Sequence, residues 1–291
     1  MGNSGLKFYV IGDPIKHSLS PLMQNFFLEK FKINGKYVAK QVKIDQLDAV
    51  ITSFINKGIT GINVTTPHKN EVVKYIDDFT AEAENIGSIN TIKFENGKLI
   101  GHNTDAIGFE TSLYRKNYTI DNKNAIIFGA GGAARAVLAA LIRGHCRKIV
   151  VSNRNAEKAE KLVNDFSNRS ADTTLEIVPI NSNEVGKTIR SSQLLVNATT
   201  VGMNDSAKYS ILPGTDYLHR NLLVYDLIYC SCKTKLISQA EACDVPWING
   251  IDMLIFQGIE SLKFWIETDL ILEESVYFEV KNLLRSKVCQ E

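Results

Sequence analysis

The chain has 291 residues, of which 44% are hydrophobic and 22% are charged, and 33 basic against 32 acidic side chains leave a formal net charge of +1. This balance argues against nucleic acid and against an anionic membrane surface as partners, and no apolar run reaches the roughly 18 residues that a membrane span needs. The length suggests two domains of ordinary size.

The cysteines are odd in number and scattered, apart from one C-x-C pair. This spacing argues against a disulfide framework and against a redox motif of the C-x-x-C type. The first residues, "MGNSGLKFYVIGDP", are too short and too interrupted by Gly, Asp and Pro for a signal peptide. We therefore expect a reducing, cytoplasmic environment for the cysteines, which are Cys146, Cys230, Cys232, Cys243 and Cys289.

Strand and helix patterns alternate over the first hundred residues. Residues 7–12 and 36–42 are predicted strands on either side of a helix near 20–31, whose start is marked by Ser20 and Pro21. In "NTIKFENGKLIGHN", Asn96 and Gly97 predict a tight hairpin turn. The segment "DQLDAVITSFINKG" predicts a second helix, stopped by Gly58, with an apolar face of Leu47, Val50, Ile51, Phe54 and Ile55. Together these elements predict a three-layer α/β domain with a mixed sheet.

The stretch "GINVTTPHKN" (61–70) raises a specific question about a lysine. Its first residues alternate as in a strand, and Pro67 then begins a helix-like pattern that continues to Ile76. If Thr66 caps that helix, Lys69 lies in the first turn, where the helix dipole disfavours a cation by roughly 0.3–1 kcal/mol. This unfavourable placement predicts a functional reason for Lys69.

A second alternating series follows the first domain. A helix is predicted from Asp105 to about Lys116, and the polar stretch "NYTIDNKN" then separates it from the strand "AIIF" (125–128). Such βαβ repetition predicts a parallel, doubly wound sheet. The predicted elements are strands at 125–128, 148–151, 175–180, 193–197 and 222–226 and helices at 133–143 and 156–167. The helices near the end are expected to return to the first domain, giving domains of 1–105 plus 258–291 and 106–257.

The segment "AIIFGAGGAARAVLAAL" predicts a dinucleotide site. Gly129, Gly131 and Ala134 form a G-x-G-x-x-A pattern directly after an apolar strand and at the head of a helix. Glycines allow a tight turn and close backbone approach, while the free N–H groups of the helix attract a pyrophosphate. The alternative is a glycine turn with a purely structural role.

The next strand indicates which dinucleotide is bound. It ends in "IVVSNRN", where an NAD site usually offers a carboxylate to the ribose. Here the chain offers Asn153 and Arg154, with Lys158 one helical turn beyond, and a guanidinium binds a 2′-phosphate that a carboxylate would repel. We therefore predict NADP rather than NAD; the alternative is a solvated arginine.

Lys69 is a candidate proton donor for a nicotinamide enzyme, and Asp105 of "HNTDAIG" is its candidate partner. Taken alone, Lys69 would more often be a surface lysine and Asp105 would be a helix cap. Small polar side chains at strand ends and in the loop "PIKHSLSP" favour a site for a polyhydroxylated anion. We predict no metal, because His17, His68 and His102 have no ligand companion at suitable spacing.

Read together, the motifs resemble the shikimate dehydrogenase family over residues 8 to about 266. They are "GDPIKHSLSP", "GINVTTPHK", "GSINT", "GHNTDAIGF", "GAGGAARA", "SNR", "NATTVGM", "YDLIY" and "NGIDMLIFQ". The resemblance implies an α/β protein in which a mixed-sheet substrate domain and a Rossmann-like NADP domain flank a cleft. It also implies reversible reduction of 3-dehydroshikimate to shikimate with NADPH, in the shikimate pathway of aromatic amino acid biosynthesis.

The resemblance implies site residues by matching motif. The catalytic pair would be Lys69 and Asp105. The substrate would contact these two together with Ser18, Ser20, Asn63, Thr65, Asn90, Tyr229 and Gln257. NADP would contact Gly129, Ala130, Gly131, Gly132, Ala133, Ala134, Asn153, Arg154, Lys158, Thr199, Gly202, Gly250 and Met253.

Gln257 also stands out without the resemblance, because it interrupts an apolar helix face with Met253 and Leu254. A buried amide without a partner costs roughly 1–3 kcal/mol, which favours a ligand-facing role over a bond to a neighbouring carbonyl. One departure from the family lies after "YDLIY", where the family usually has a proline before its threonine. This chain has none there, and the loss is expected to soften the turn; it reads Cys230, Ser231, Cys232, Lys233 and Thr234.

Two other functions share many of these motifs. The nearer is a quinate or dual quinate/shikimate dehydrogenase that uses NAD, which Ser18, Ser20 and Arg154 disfavour. The more remote is a metabolite sensor without turnover, which retention of both Lys69 and Asp105 disfavours. For the assembly, a monomer or homodimer is expected.

Overall fold

The computed structural model describes residues 5–170, 172–203, 208–212, 214–229 and 233–289. Within it the chain divides into two compact units. The first comprises the residues up to Gly108 together with Leu254–Lys287, and the second comprises Phe109–Met253 with the last residues from Val288. Each unit is built around one six-stranded sheet.

The sheet of the first unit is mixed, as predicted. Its strand order is β2-β1-β3-β5-β6-β4. β1 pairs in parallel with β2 and β3, whereas β5 is antiparallel to β3 and β6. The strands are β1 (Leu6–Gly12), β2 (Gly35–Gln41), β3 (Gly61–Val64), β4 (Asp78–Phe79), β5 (Thr91–Glu95) and β6 (Lys98–His102).

The predicted hairpin is confirmed, since β5 and β6 join through Asn96 and Gly97, both at positive φ of 51° and 79°. The hairpin brings the start of β5 and the end of β6 to the edge where β1 and β3 end. The helices of this unit are α1 (Ser20–Lys30), α2 (Leu47–Asn56), α3 (Ala81–Ile86), most of α9 (Ile251–Ile266) and α10 (Glu274–Val288), and α4 (Asp105–Tyr114) begins here.

The amphipathic pattern of α2 produces much of the first core. Leu47, Ile51 and Phe54 are buried against β1, β3 and β5, and Gly58 follows the helix at φ +59°. The sequence placed Ile55 on the same face, but it is 43% exposed. Residue 55 follows Phe54 by about 100° of helix rotation, which carries its side chain off the buried stripe.

No helix begins at Pro67, so the sequence prediction for this segment is wrong. Residues 66–70 form turns, and a short 3₁₀ helix covers Glu71–Tyr75. The Lys69 carbonyl, which would accept an N–H four residues later in an α-helix, instead accepts the Ile89 N–H at 3.2 Å. The dipole argument for Lys69 therefore fails, and its position must be explained by its tertiary contacts.

The sheet of the second unit is entirely parallel, with the order β12-β11-β10-β7-β8-β9. The chain starts in the middle at β7, builds outward through β8 and β9, and returns to β10 on the other side. This reversal is the doubly wound arrangement predicted from the sequence. The strands are β7 (Asn124–Phe128), β8 (Lys148–Ser152), β9 (Thr174–Ile177), β10 (Leu194–Asn197), β11 (Leu223–Asp226) and β12 (Trp247–Asn249).

The helices of this unit follow the predicted alternation with two additions. The predicted helices appear as α5 (Gly132–Arg143) and α6 (Ala156–Phe166), while α7 (Glu184–Ser191) and α8 (Lys235–Ala242) were missed. The side chains of β7, β10 and β11 form the second core with residues of α7 and α8. None of the helices in the described part of the chain is long and apolar enough to cross a membrane.

The cysteines depart in one respect from the reduced state expected. Cys146 and Cys243 are free, whereas Cys289 is disulfide-bonded. Burial raises the pKa of the Cys146 thiol to about 11, so it stays protonated at neutral pH. Cys230 and Cys232, together with the turn expected to soften there, lie outside the described residues.

Candidate active site

Lys69 and Asp105 form an ion pair in the first unit. Their side chains are only 16% and 7% exposed. Asp105 is the first residue of α4, and its N–H donates to the Asn103 side-chain oxygen at 2.9 Å. The helix N-terminus therefore favours the carboxylate, and the carboxylate orients the ammonium.

The turn that carries Lys69 is fixed on both sides by buried contacts. The fully buried His68 ring places Nε2 2.6 Å from the Val42 carbonyl oxygen. On the other side, the Lys69 carbonyl accepts the Ile89 N–H, which ties the turn to the chain entering β5. These contacts, rather than a helix, hold the lysine beside Asp105.

Asn90 holds the second oxygen of the carboxylate. Its amide Nδ2 donates to Asp105 Oδ1 at 2.8 Å and to Thr104 Oγ1 at 2.9 Å. Its oxygen accepts the Thr104 N–H at 2.9 Å and the Thr91 hydroxyl at 2.8 Å. Both oxygens of Asp105 are thus engaged, one by Lys69 and one by Asn90, which fixes the plane of the carboxylate.

Behind Asn90 lies a hydroxyl cluster, formed by Thr91, Thr104 and Ser261, that sequence reasoning missed. All three residues are fully buried, and Ser261 Oγ lies 2.9 Å from Thr91 Oγ1 and 3.1 Å from Thr104 Oγ1. Buried polar groups are tolerated when they satisfy one another in this way. The available signal was Ser261 itself, four residues after Gln257 and therefore on the same face of α9.

Asn63 belongs to this network as well. Its amide donates to Thr91 Oγ1 and to Ser261 Oγ, both at 3.0 Å, and its oxygen accepts the Tyr37 hydroxyl at 2.7 Å. The resemblance implied a contact between Asn63 and the substrate ring. The structure gives this side chain internal partners, through which it supports Asn90 by way of Thr91, and the ring contact stays a prediction.

Gln257 lies next to the same network, half-buried on α9. Its Nε2 donates to the Leu254 carbonyl at 2.8 Å, and its Oε1 is 3.5 Å from Asn90 Nδ2. The first contact is the bond to a neighbouring backbone that the sequence left open. The second places the amide beside Asn90, which bonds Asp105, so the two interpretations of Gln257 are compatible.

Ser18, Ser20 and Thr65 follow the carboxyl ends of β1 and β3, which are parallel and end at the same edge. Ser18 is half-buried, its N–H donates to the Ile15 carbonyl at 3.0 Å, and its Oγ accepts the Ser20 N–H at 3.3 Å. The Thr65 N–H continues the sheet by donating to Ile11 at 2.9 Å. The edge that carries Asn90 and Asp105 thus also carries these hydroxyls.

The histidines take structural positions. The His102 ring lies 4.6 Å from that of Phe264, and its Nδ1 is 2.8 Å from Thr80 Oγ1. Burial lowers the pKa of His102, so it is neutral at neutral pH. His17 is exposed. In the residues that the structure describes, no group of three His, Cys, Asp or Glu side chains could hold a metal ion.

In the second unit, the glycine turn lies between β7 and α5. Gly129 has φ +115°, and a Cβ added there would lie 2.8 Å from the Ala198 carbonyl oxygen. At Gly131, by contrast, no atom of the described chain lies within 4 Å of an added Cβ. The turn therefore needs glycine at 129 for its own packing, and at 131 it leaves open space before the helix N-terminus, where a pyrophosphate fits.

Arg154 and Lys158 are exposed beyond the end of β8. Asn155 caps α6 by accepting the Lys158 N–H at 2.9 Å, and the Asn153 amide donates to the Asn155 carbonyl at 2.9 Å. The cap fixes the direction of the first turn of α6, which carries Lys158. Two cations at this strand end suit a phosphate group.

The other predicted cofactor residues lie near the ends of β10 to β12. Thr199 and Gly202 belong to the loop after β10, and Gly202 has φ +103°. A Cβ added at Gly250 would lie 2.1 Å from the Leu227 carbonyl oxygen, so only glycine fits there. Met253 is buried in α9, and Tyr229 is half-buried after β11. Like the glycine turn, these positions follow the carboxyl ends of parallel strands, where doubly wound sheets bind ligands.

Asp226 ends β11 and is fully buried in the second unit. It accepts the Thr234 hydroxyl at 2.6 Å and the Asn197 amide at 2.9 Å. Burial raises its pKa to about 6, and these hydrogen bonds oppose the rise. Asp226 lies in the "YDLIY" motif, but no residue pattern in the sequence indicates a role for it.

Known families match both units. Residues 10–92 match the family model described as "Shikimate dehydrogenase substrate binding domain", and residues 112–204 match the one described as "Shikimate / quinate 5-dehydrogenase". A curated relative from Methanocaldococcus jannaschii, named shikimate dehydrogenase (NADP(+)), is 38% identical over 279 residues, 96% of either chain. The chain belongs to the shikimate dehydrogenase family.

Solved structures of the shikimate dehydrogenase family share the fold over nearly the whole length. The enzyme from Listeria monocytogenes, in complex with shikimate and NAD, has a TM-score of 0.86 at 30% identity and covers 98% of both chains. The enzyme from Thermus thermophilus, in complex with NADP(H) and shikimate, has a TM-score of 0.83 at 31% identity, covering 96% of this chain and 99% of its own. The family resemblance of the sequence motifs is thereby confirmed.

Proposed function

We propose that this protein catalyses the reversible reduction of 3-dehydroshikimate to shikimate with NADPH. The observation that carries the proposal is the pairing of Lys69 with Asp105 in a shikimate dehydrogenase chain. It supplies an ammonium that is oriented and shielded from solvent at the edge of the first sheet, where hydroxyls and amides are also gathered.

Lys69 acts as the proton donor in the reducing direction. Its ammonium has three N–H donors, of which one is directed to Asp105, so others can reach a substrate oxygen. The proton passes to the oxygen of the substrate carbonyl as negative charge develops there. Asp105 and Asn90 hold the ammonium in place, which reduces the freedom lost when the reacting groups are aligned.

The substrate is held at the same edge of the first sheet. Ser18, Ser20 and Thr65 offer hydroxyls suited to the carboxylate, while Asn90 and Gln257 offer amides suited to the ring hydroxyls. We further propose that Tyr229 adds a hydroxyl at the carboxylate end. Asn63 acts through Thr91 and Asn90.

The residues of the second unit fit NADP. The glycine turn at Gly129 and Gly131 and the N-terminus of α5 would hold the pyrophosphate, and Asn153, Arg154 and Lys158 the 2′-phosphate. Thr199, Gly202, Gly250 and Met253 would line the remaining parts of the cofactor. When bound, NADPH supplies the hydride.

Initial rates with four substrate and cofactor pairs test this function. The purified protein is expected to oxidise shikimate with NADP⁺ faster, by kcat/KM, than shikimate with NAD⁺ or quinate with either cofactor. Absence of turnover with shikimate and NADP⁺, despite binding of both, would contradict the proposal and support a sensor. A preference for quinate and NAD⁺ would support the alternative dehydrogenase. The description of the family that matches residues 112–204 names both shikimate and quinate.

We infer a cytoplasmic monomer or homodimer with no nucleic-acid partner; the near-neutral net charge supports the absence of a nucleic-acid partner. The domain limits 1–105 plus 258–291 and 106–257 are part of the same proposal. Sedimentation velocity of the purified protein tests the assembly, and a trimer or larger species would contradict it.

A further inference from the structure

Asp226 and Asn197 end the neighbouring parallel strands β11 and β10, and their side chains are directly bonded. Asp226 Oδ1 accepts the Asn197 amide at 2.9 Å and the Ile228 N–H at 3.2 Å, while Oδ2 accepts the Thr234 hydroxyl at 2.6 Å. Both residues are fully buried. Burying a carboxylate and an amide costs free energy unless their polar atoms form hydrogen bonds, and here each oxygen of the carboxylate accepts at least one.

The Asn197 amide faces in two directions. Its Nδ2 donates to Asp226 and to the Val201 carbonyl at 3.1 Å. Its Oδ1 accepts the Thr199 N–H at 3.1 Å and the Thr199 hydroxyl at 2.7 Å. Because the Asp226 carboxylate can only accept hydrogen bonds when ionised, it selects the amide orientation in which the oxygen faces Thr199. The reverse orientation would place two donors against each other at Thr199.

The loop shaped by this amide contacts the glycine turn. The Ala198 carbonyl oxygen lies 2.8 Å from where a Cβ on Gly129 would be, and Thr199 Cγ2 lies 3.4 Å from it. At its other end, Gly202 packs beside Ile228 and Thr234, which also bond Asp226. The loop 198–202 therefore lies against the glycine turn at one end and against carbon atoms of Ile228 and Thr234 at the other, while Asn197 links its start to Asp226.

We propose that Asp226 is a positioning residue of the cofactor site, which orients Asn197 and through it fixes the loop 198–202 against the glycine turn. The proposal rests on the proposed function, because it assumes that this edge of the sheet binds NADPH. Asp226 acts through its Oδ1 acceptor. An amide at position 226 can keep that acceptor, whereas an apolar side chain cannot.

Fluorescence titration with NADPH compares Asp226→Leu, Asp226→Asn and Thr234→Val with the wild type. Asp226→Leu is expected to raise the NADPH dissociation constant roughly tenfold, and Asp226→Asn to stay within about threefold of wild type. Thr234→Val is the matched control, since it removes a bond to the other oxygen of the same carboxylate and the side-chain cap of α8. It is expected to lower thermal stability while leaving NADPH affinity within about threefold.

A merely structural role would give a different pattern. If Thr234→Val weakened NADPH binding as much as Asp226→Leu, or if Asp226→Leu bound NADPH normally, the proposal would be overturned. The KM for shikimate is expected to change less than about twofold in every variant, since its proposed contacts other than Tyr229 lie in the first unit.

Asn197→Ala supplies a second route in case Asp226→Leu does not fold. This variant leaves the bonds of Asp226 to Ile228 and Thr234 in place, and it is expected to weaken NADPH binding by a similar factor. Normal affinity in Asn197→Ala would also overturn the proposal. Because the titration measures binding, a wild-type protein that binds NADPH without reducing 3-dehydroshikimate would count against the proposed function alone.

Discussion

Lys69 and Gly129 both follow the carboxyl end of a strand, yet the two sites around them are built by different means. The glycine turn consists of consecutive residues whose backbone positions serve the ligand, and its geometry follows from one strand, one turn and one helix. The site around Lys69 brings together side chains from positions 69, 90, 105 and 257. A substitution in the glycine turn should therefore affect only its immediate neighbours, whereas a substitution near Lys69 should affect several hydrogen-bonded side chains.

The largest effect is expected from Lys69→Ala, which removes the proposed proton donor. The kcat for shikimate oxidation should fall by about 10²–10⁴, the usual contribution of general acid–base catalysis, while the shikimate dissociation constant changes much less. Lys74→Ala is the control, since Lys74 is exposed five residues further on and should leave kcat within about twofold. A kcat within threefold of wild type in Lys69→Ala would remove this lysine from the mechanism.

Gly129→Ala and Gly131→Ala separate the turn's own packing from its role in binding. At 129, the positive φ and the 2.8 Å approach to the Ala198 oxygen predict a loss of unfolding free energy of about 2–4 kcal/mol. At 131, a methyl group meets no described atom, so stability should change by less than about 1 kcal/mol while the KM for NADPH rises. Urea unfolding measures the stability of each variant, and NADPH titration measures its cofactor binding. Equal losses of stability in Gly129→Ala and Gly131→Ala would contradict the separation of packing from binding.

Asp226 extends the comparison of the two sites, because it belongs to a network of side-chain hydrogen bonds within the second unit. The pKa of Asp226 is raised from the ordinary 3.8 to about 6. Between these two pH values the folded protein keeps a proton on Asp226 that the unfolded chain has released. The stability from this group is fully present below pH about 3.8 and is lost as the pH rises toward about 6, by about 3 kcal/mol in total.

Asp226→Asn removes this dependence. The unfolding free energy of the variant relative to wild type should therefore increase between pH 4 and 7 by up to about 3 kcal/mol, as measured by urea unfolding at several pH values. Asp48→Asn, at an exposed position of α2, controls for removal of a carboxylate. A difference that does not vary with pH would mean that Asp226 is not protonated in the folded protein near pH 5.

The smallest effect is expected from Arg154→Ala, at the edge of the cofactor site. Loss of a charged hydrogen bond to the 2′-phosphate should raise the KM for NADPH roughly tenfold or more and leave the KM for NADH unchanged. Arg220→Ala removes an exposed arginine that faces Asp244 instead, and should change neither constant. Equal increases for NADPH and NADH in Arg154→Ala would mean that this arginine does not read the 2′-phosphate.

Sequence reasoning succeeded where the deciding interactions are local. The hairpin at Asn96 and Gly97 depends on two backbone angles that those residues favour, and it forms as predicted. The apolar patterns predicted most strands of both sheets and the helices α1, α2, α5 and α6, but not the short strands β4 and β12. The short helices α3, α7 and α8 were missed because their patterns span too few residues to stand out.

The helix predicted at Pro67 shows where local rules fail. The residues favour a helix start, but the Lys69 carbonyl is taken by Ile89 and the His68 ring is buried against Val42. These partners are 20 and 26 residues away in sequence, so no local pattern reports them. No helix dipole therefore acts on Lys69, and its position beside Asp105 has a tertiary cause.

Residue types and short spacings were enough to predict the two alternating halves, the glycine turn, the cations after β8 and the family to which the chain belongs. These depend on residue type and on spacings of a few residues, which fix backbone angles and periodicity. The folded chain was needed to show which side chains surround Asp105, that Asn63 has internal partners, and that Asp226 is buried beside Asn197. Such arrangements depend on which distant strands become neighbours, because burial and hydrogen bonding act between residues far apart in the chain.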